Sequence, residues 1–180
     1  MTVNCLVRVL GRLTGAAIAA ASVMSAMPAA ALDLPGGASS LSETHKDWMV
    51  ACMHDGSAKR CALSQVQTRQ DGQRVLAIEL EAPQSDTVFG IVVMPFGLAL
   101  DSGITIAIDD KPPIPQVRFR TCLPGGCLAS VRFDAAVVTA LRTGGLLKLV
   151  ATADGGGEVP FSVSLQGFAA ALDRAVALAR

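Results

Sequence analysis

The residues able to do chemistry are few, and cysteine leads them. Five occur in the chain: Cys5, Cys52, Cys61, Cys122 and Cys127. Four thiolates could hold zinc, but the eight-residue gap between Cys52 and Cys61 and the four-residue gap between Cys122 and Cys127 fit the usual C-x₂₋₄-C knuckle poorly, and export favours oxidation. A dithiol redox catalyst needs C-x-x-C, and none is present. Disulfides are the remaining chemistry. Setting aside Cys5, the four others allow three pairings. The two local ones, Cys52–Cys61 and Cys122–Cys127, are favoured because each encloses a short polar turn between extended segments. Each would contribute roughly 2–3 kcal/mol by loop entropy.

The other reactive types are scattered. There are two histidines, His45 and His54, both in polar or turn context. No G-x-S-x-G elbow nominates a serine, and Ser64 and Ser130 fall inside extended segments. Asp109-Asp110 precedes Lys111-Pro112-Pro113 and reads as a solvated turn, with at most Asp101 to join it as a calcium ligand. Met49, Cys52, Met53, His54 and Met94 are ligand types suited to copper, yet methionine in a strand-rich core is usually packing. Gly155-Gly156-Gly157 follows no strand-to-helix pattern and makes no phosphate loop. No catalytic centre, metal site or cofactor site is nominated.

The elements that must position these residues follow from composition and period. The chain has 180 residues, 15 basic and 15 acidic, and 51% hydrophobic residues. Zero net charge gives no basic footprint for nucleic acid. The apolar excess is concentrated at the start. Arg8 and Arg12 precede the Ala-rich stretch Leu13 to Met27, and Ala29-Ala30-Ala31 offers small residues at a cleavage site. Residues 1–31 are therefore expected to be a signal peptide that removes Cys5 with it. The remainder keeps 13 basic against 15 acidic residues, an ordinary globular apolar share and no run long enough to span a bilayer as a helix.

Residues 32–44, rich in Pro, Gly and Ser, are expected to be a flexible lead-in to a domain over 45–180. Extended segments then follow at Trp48–Cys52, Cys61–Thr68, Arg74–Glu81, Val88–Met94, Ile104–Ile108, Gln116–Cys122, Cys127–Phe133, Leu146–Thr152 and Val159–Leu165. Ile104, Ile106 and Ile108 alternate with a clean two-residue period, and Val88–Met94 is continuous enough for a buried strand. Turn signals at Asp71-Gly72, Pro95-Phe96-Gly97 and Asp154-Gly155 separate the segments. The pattern predicts an all-β, two-sheet antiparallel sandwich. Two helices accompany it. One is short, Ala135–Arg142, capped by Asp134; the other is C-terminal, with Phe168, Leu172, Val176 and Ala179 as a stripe that covers core. Trp48 is expected to pack against a disulfide or the opposite sheet.

Ordered features along the chain carry a resemblance. They are Trp48-x-x-x-Cys52, Cys61-Ala62-Leu63-Ser64-Gln65, Met94-Pro95-Phe96-Gly97 and Gly103 through Asp109. Phe119-Arg120-Thr121-Cys122, Gly126-Cys127-Leu128-Ala129 and Val163 through Ala171 complete the series. In this order they resemble the invasion-associated locus B (IalB) family of exported bacterial proteins, over about residues 44–178. The resemblance implies an immunoglobulin-like β-sandwich with two disulfides, in the periplasm, at the outer surface or secreted. It supplies no catalytic residue. The expected function is a non-enzymatic binding protein of the bacterial envelope or surface, of the kind linked to host-cell invasion, with a protein or cell-surface partner of unknown identity. The alternatives are an envelope-maintenance or assembly factor, or a small-molecule or metal-binding protein.

Overall fold

A computed structural model describes residues 34–180 apart from Asp55 and Gln84. The expected leader, residues 1–31, lies outside the described residues. Ten strands and two helices follow one another: β1 (Ser40–His45), β2 (Trp48–His54), β3 (Lys59–Thr68), β4 (Arg74–Glu81), β5 (Val88–Met94), β6 (Ile104–Ile108), β7 (Phe119–Leu123), β8 (Gly126–Phe133), α1 (Ala135–Thr143), β9 (Leu146–Thr152), β10 (Glu158–Ser164) and α2 (Phe168–Ala179). All pairings are antiparallel. A seven-stranded sheet has the order β1-β2-β3-β4-β5-β8-β7, and a three-stranded sheet has β10-β9-β6. The sandwich of immunoglobulin-like type is thus present in uneven form, a large sheet half covered by a small one. No helix among the described residues is long and apolar enough to cross a membrane.

The core lies between the sheets, where the two-residue period turns alternate side chains inward. Val50, Leu63, Leu76, Ile78, Leu80, Val92 and Phe133 meet Ile104, Ile106, Leu149 and Val163 there. At one end α2 replaces the second sheet and packs on β2 and β3. Trp48 is 1% exposed. Its ring meets Phe168 of α2 edge-on with centroids 5.2 Å apart, and its indole N–H donates to the Ser164 carbonyl at 2.9 Å. The opposite sheet is therefore reached, as expected, but through a hydrogen bond rather than a stacked ring. Gly167 starts α2 with φ +87; a Cβ there would overlap the His45 carbonyl oxygen. Glycine is needed on both counts, conformation and close approach.

Three expectations change. Residues 32–44 are not all lead-in: Leu34 is buried, and β1 pairs along its whole length with β2, from Ser40↔Met53 to His45↔Trp48. An edge strand needs an apolar residue on one face only, so a Ser-rich segment with Leu41 alone suffices. The domain begins before residue 45. Gln116 and Val117 do not start β7; Val117 bridges to Ile104, and the Ile114 N–H donates to the Ile106 carbonyl. That segment covers the free edge of the small sheet before crossing to the large one. The buried face of α2 is Phe168, Ala171, Leu172, Ala175 and Leu178, rotated from the expected Phe168, Leu172, Val176 and Ala179. Alanines let the helix approach the sheet closely, and Val176 turns toward α1.

Candidate functional site

Both disulfides join residues that stand directly opposite on neighbouring strands. Cys52 pairs with Cys61 across β2 and β3, with Cα atoms 4.1 Å apart, and Cys122 pairs with Cys127 across β7 and β8, at 3.9 Å. Each hairpin turn holds its two strands in register, so the local pairing needs no distant contact to form. Cys52 and Cys61 lie inside the core, 1% and 6% exposed. Cys122 sits half-buried on an edge strand.

The other expected residues are placed structurally. Asp109 holds φ +51, and its carboxylate accepts from the Gly145 N–H at 3.1 Å and the Leu146 N–H at 2.9 Å, tying the end of β6 to the start of β9. Asp110 pairs with Lys148 at 2.8 Å, and that hydrogen bond holds its carboxyl below the ordinary aspartate range. His45 and His54 mark opposite ends of the β1–β2 hairpin. Ser64 and Ser130 share one cross-strand row on the outer face of the large sheet. Met94 is buried in the core while Met49 and Met53 point outward, so the copper-suited set is split between two faces. Among the described residues, no three His, Cys, Asp or Glu side chains are grouped to hold a metal.

Two polar contacts escaped the sequence. Gln65 is the only buried polar side chain among the described residues. Its amide donates to the Ser164 carbonyl at 3.0 Å and accepts from the Ser164 N–H at 3.3 Å, while Gln67 donates to Ser162. These side chains of β3 occupy the free edge of β10, where another strand would otherwise pair. Glu43 of β1 receives both arms of Arg174 of α2 at 2.7 Å. That fork lowers the Glu43 carboxyl below its ordinary value, and its geometry is the bidentate one that guanidinium favours. An i, i+2 pattern in β3 was the signal for the glutamines; nothing local could pair Glu43 with a residue 131 positions away.

Two surfaces remain for recognition. One is a cleft of about 520 Å3 between α1, α2 and the loop before β5, floored by Val88, Val138, Leu172 and Val176 and spanned by the Arg142–Asp173 ion pair at 2.9 Å. The other is the whole outer face of the large sheet. Neither helix and no strand of the small sheet lies on it, since all core contacts run from the inward residues. Its side chains are mixed. Met49, Met53, Val66 and Phe89 are 47%, 66%, 56% and 51% exposed, and Ile91, Val93 and Leu128 are half-exposed beside them, while Ser64, Glu79, Glu81, Ser130 and Arg132 share the same face. Single exposed apolar residues are normal, whereas a contiguous patch marks a contact surface.

The comparisons agree with this frame. The family profile described as "Invasion associated locus B (IalB) protein" matches residues 48–176. The chain belongs to the IalB family. It is 45% identical over 161 residues to a protein of Brucella abortus named invasion protein B homolog, covering 88% of this chain and 92% of that one. It is 34% identical over 148 residues to invasion protein B of Bartonella bacilliformis, covering 81% and 80%. The crystal structure of invasion associated protein b from Bartonella henselae superposes with a TM-score of 0.73 at 30% identity, over 77% of this chain and 96% of that one. The family match spans both hairpins that carry the disulfides and most of α2.

Proposed function

We propose that the chain is an exported, non-enzymatic binding protein of the bacterial envelope or surface. The observation that carries the reading is the apolar line of Phe89, Ile91 and Val93 on the uncovered face of the large sheet, a broad contact surface rather than a reaction pocket. Two disulfides support export, because such bonds persist in oxidising compartments. Residues 1–31 serve as the signal peptide, and the mature protein resides in the periplasm, on the outer surface or in the medium. The names of the relatives, invasion protein B and its homolog, favour a part in host-cell invasion. Their sequences are similar over most of the chain.

The test has two parts. Fractionation of the producing bacterium with rapid thiol alkylation should give an exported protein beginning at Leu32 with no alkylated cysteine. A cytoplasmic protein that keeps residues 1–31 and free thiols overturns the export reading. Purified protein and its Ile91→Lys variant are then applied to host cells and to the bacterium's own envelope fraction. Retention by host cells that the variant loses supports invasion, and loss confined to the envelope fraction supports envelope maintenance or assembly. Equal retention of both proteins on both materials overturns the binding reading.

A further inference from the structure

We infer that the partner fitting the outer face is a second copy of this chain, related by a two-fold axis that runs along β5. This inference rests on the outer face being a contact surface. It names the occupant from the arrangement of charge and apolar residues across the sheet.

The strand register lays the outward side chains in rows. One row runs Ala62, Glu81, Phe89, Arg132, taking Glu81 opposite Phe89 by continuing the pairing of Leu80 with Gly90. The next runs Ser64, Glu79, Ile91, Ser130, and the third runs Val66, Ala77, Val93, Leu128, Thr121. In each row β5 lies midway between β4 and β8. The β5 members are Phe89, Ile91 and Val93, an unbroken apolar line. Glu81 on one side of that line is matched by Arg132 on the other, at the same height along the strands.

Rotation by a half-turn about an axis along β5 exchanges β4 with β8 and leaves the rows in place. Stacked face to face, one copy's Glu81 then meets the other's Arg132, and the contact is made twice. Glu79 meets Ser130, Ala77 meets Leu128, and Phe89, Ile91 and Val93 meet their own counterparts on the axis. This is the self-complementarity a closed two-fold interface demands, in which residue i meets j and j meets i. An axis along the central strand β4 would instead set Glu79 and Glu81 against themselves. Among the described residues Glu79 and Glu81 have no ion-pair partner, and Arg132 has only the ring of Phe89, 5.9 Å from its guanidinium carbon. Charges left without counterions on either side of an apolar line point to a partner that supplies them.

The size is sufficient. Five strands from β3 to β7 at about 4.8 Å spacing, three rows deep, give a footprint on the order of 500 Å2. Side-chain relief raises this towards the about 800 Å2 per partner of a specific interface. Aligned packing of two sheets about 10 Å apart, turned by their own twist, is a standard arrangement for such faces.

The experiment is a charge swap read by sedimentation of the purified exported protein over a range of concentrations. Wild type should dimerise reversibly. Glu81→Arg or Arg132→Glu alone should weaken the dimer by roughly ten- to hundredfold, since each sets like charges together twice. The double variant should recover most of the wild-type association. Ile91→Lys, which faces Glu79 within its own sheet, should be monomeric while melting close to wild type. A wild type that stays monomeric at every concentration overturns the dimer, as does a double variant no better than either single one. Monomers whose retention on host cells or envelope is still abolished by Ile91→Lys would leave the binding reading intact and remove only the second copy as occupant. Failure of both assays removes both.

Discussion

The two faces of the large sheet are made by the same strands, one residue apart, and they have opposite fates. Inward from β2 to β8 stand Trp48, Val50, Leu63, Ile78, Leu80, Val92 and Phe133, each at most 1% exposed. Outward from the same strands stand Met49, Ala51, Glu79, Phe89, Ile91 and Arg132, in contact with water. An antiparallel sheet with one wet face usually alternates apolar with polar residues. This one carries polar or charged outward residues on β3 and β4, Ser64, Glu79 and Glu81 among them, but none on β5, where Val88 to Met94 contains no polar side chain. The inner face is satisfied within the chain by the small sheet and α2. Among the described residues nothing covers the outer face of β5, and that difference separates a folding surface from the proposed contact surface.

The largest effect should come from the inner face. Phe168→Ala removes the ring that closes over Trp48, and a loss of about 3–5 kcal/mol is expected for so large a buried truncation. Denaturant unfolding measures it. A cost near zero would mean that α2 does not belong to the cooperative core. The disulfides sharpen the same contrast between interior and edge. Replacing Cys52 and Cys61 by alanine should cost roughly 2–5 kcal/mol, because the crosslink is lost and its buried sulfur atoms leave space behind. Replacing Cys122 and Cys127 should cost less. Under graded reductant the edge bond should open first, since its Cys122 is accessible; mass mapping of alkylated cysteines would show the order, and simultaneous opening would break the distinction.

On the outer face the expected stability effect is small. Ile91→Lys should change unfolding free energy by no more than about 0.5 kcal/mol, the usual range for surface substitutions, while removing association. Destabilisation as large as that of Phe168→Ala would show that the outer face is core after all. The smallest effect concerns pH. Glu43 has its carboxyl lowered by Arg174, so the native state binds its proton less readily than the unfolded chain. The contribution of the pair is present above the ordinary glutamate range and is lost as pH falls through the lowered native value. Glu43→Gln should therefore melt below wild type at neutral pH, with the gap closing in acid. A gap independent of pH would mean that the fork acts by packing alone.

Most strands were legible because each carries its own two-residue period and its own turn, as in Ile104–Ile108 before Asp109-Asp110. The short helix was legible because Asp134 stands where a cap must, and its carboxylate accepts from the Val137 N–H at 2.9 Å. β1 was not, because a strand that lies at an edge and takes its register from β2 needs little apolar pattern of its own. The face of α2 was read about one residue, roughly 100°, out of place at Val176 and Ala179, since periodicity alone does not say which small residues a helix presents to its sheet. Of the candidate contact surface, only the unbroken apolar run of β5 was visible.

By itself the sequence determined the alternation of strands and turns, the two local cysteine hairpins and the family, because these depend on residues close together in the chain. Tertiary structure decided which face of β5 is covered. It also decided that Gln65 guards the edge of β10, that Arg174 holds Glu43, and that Glu81 and Arg132 stand level on either side of an apolar line. Those relations join residues through strands that are neighbours in space and distant in sequence, so no local pattern could carry them.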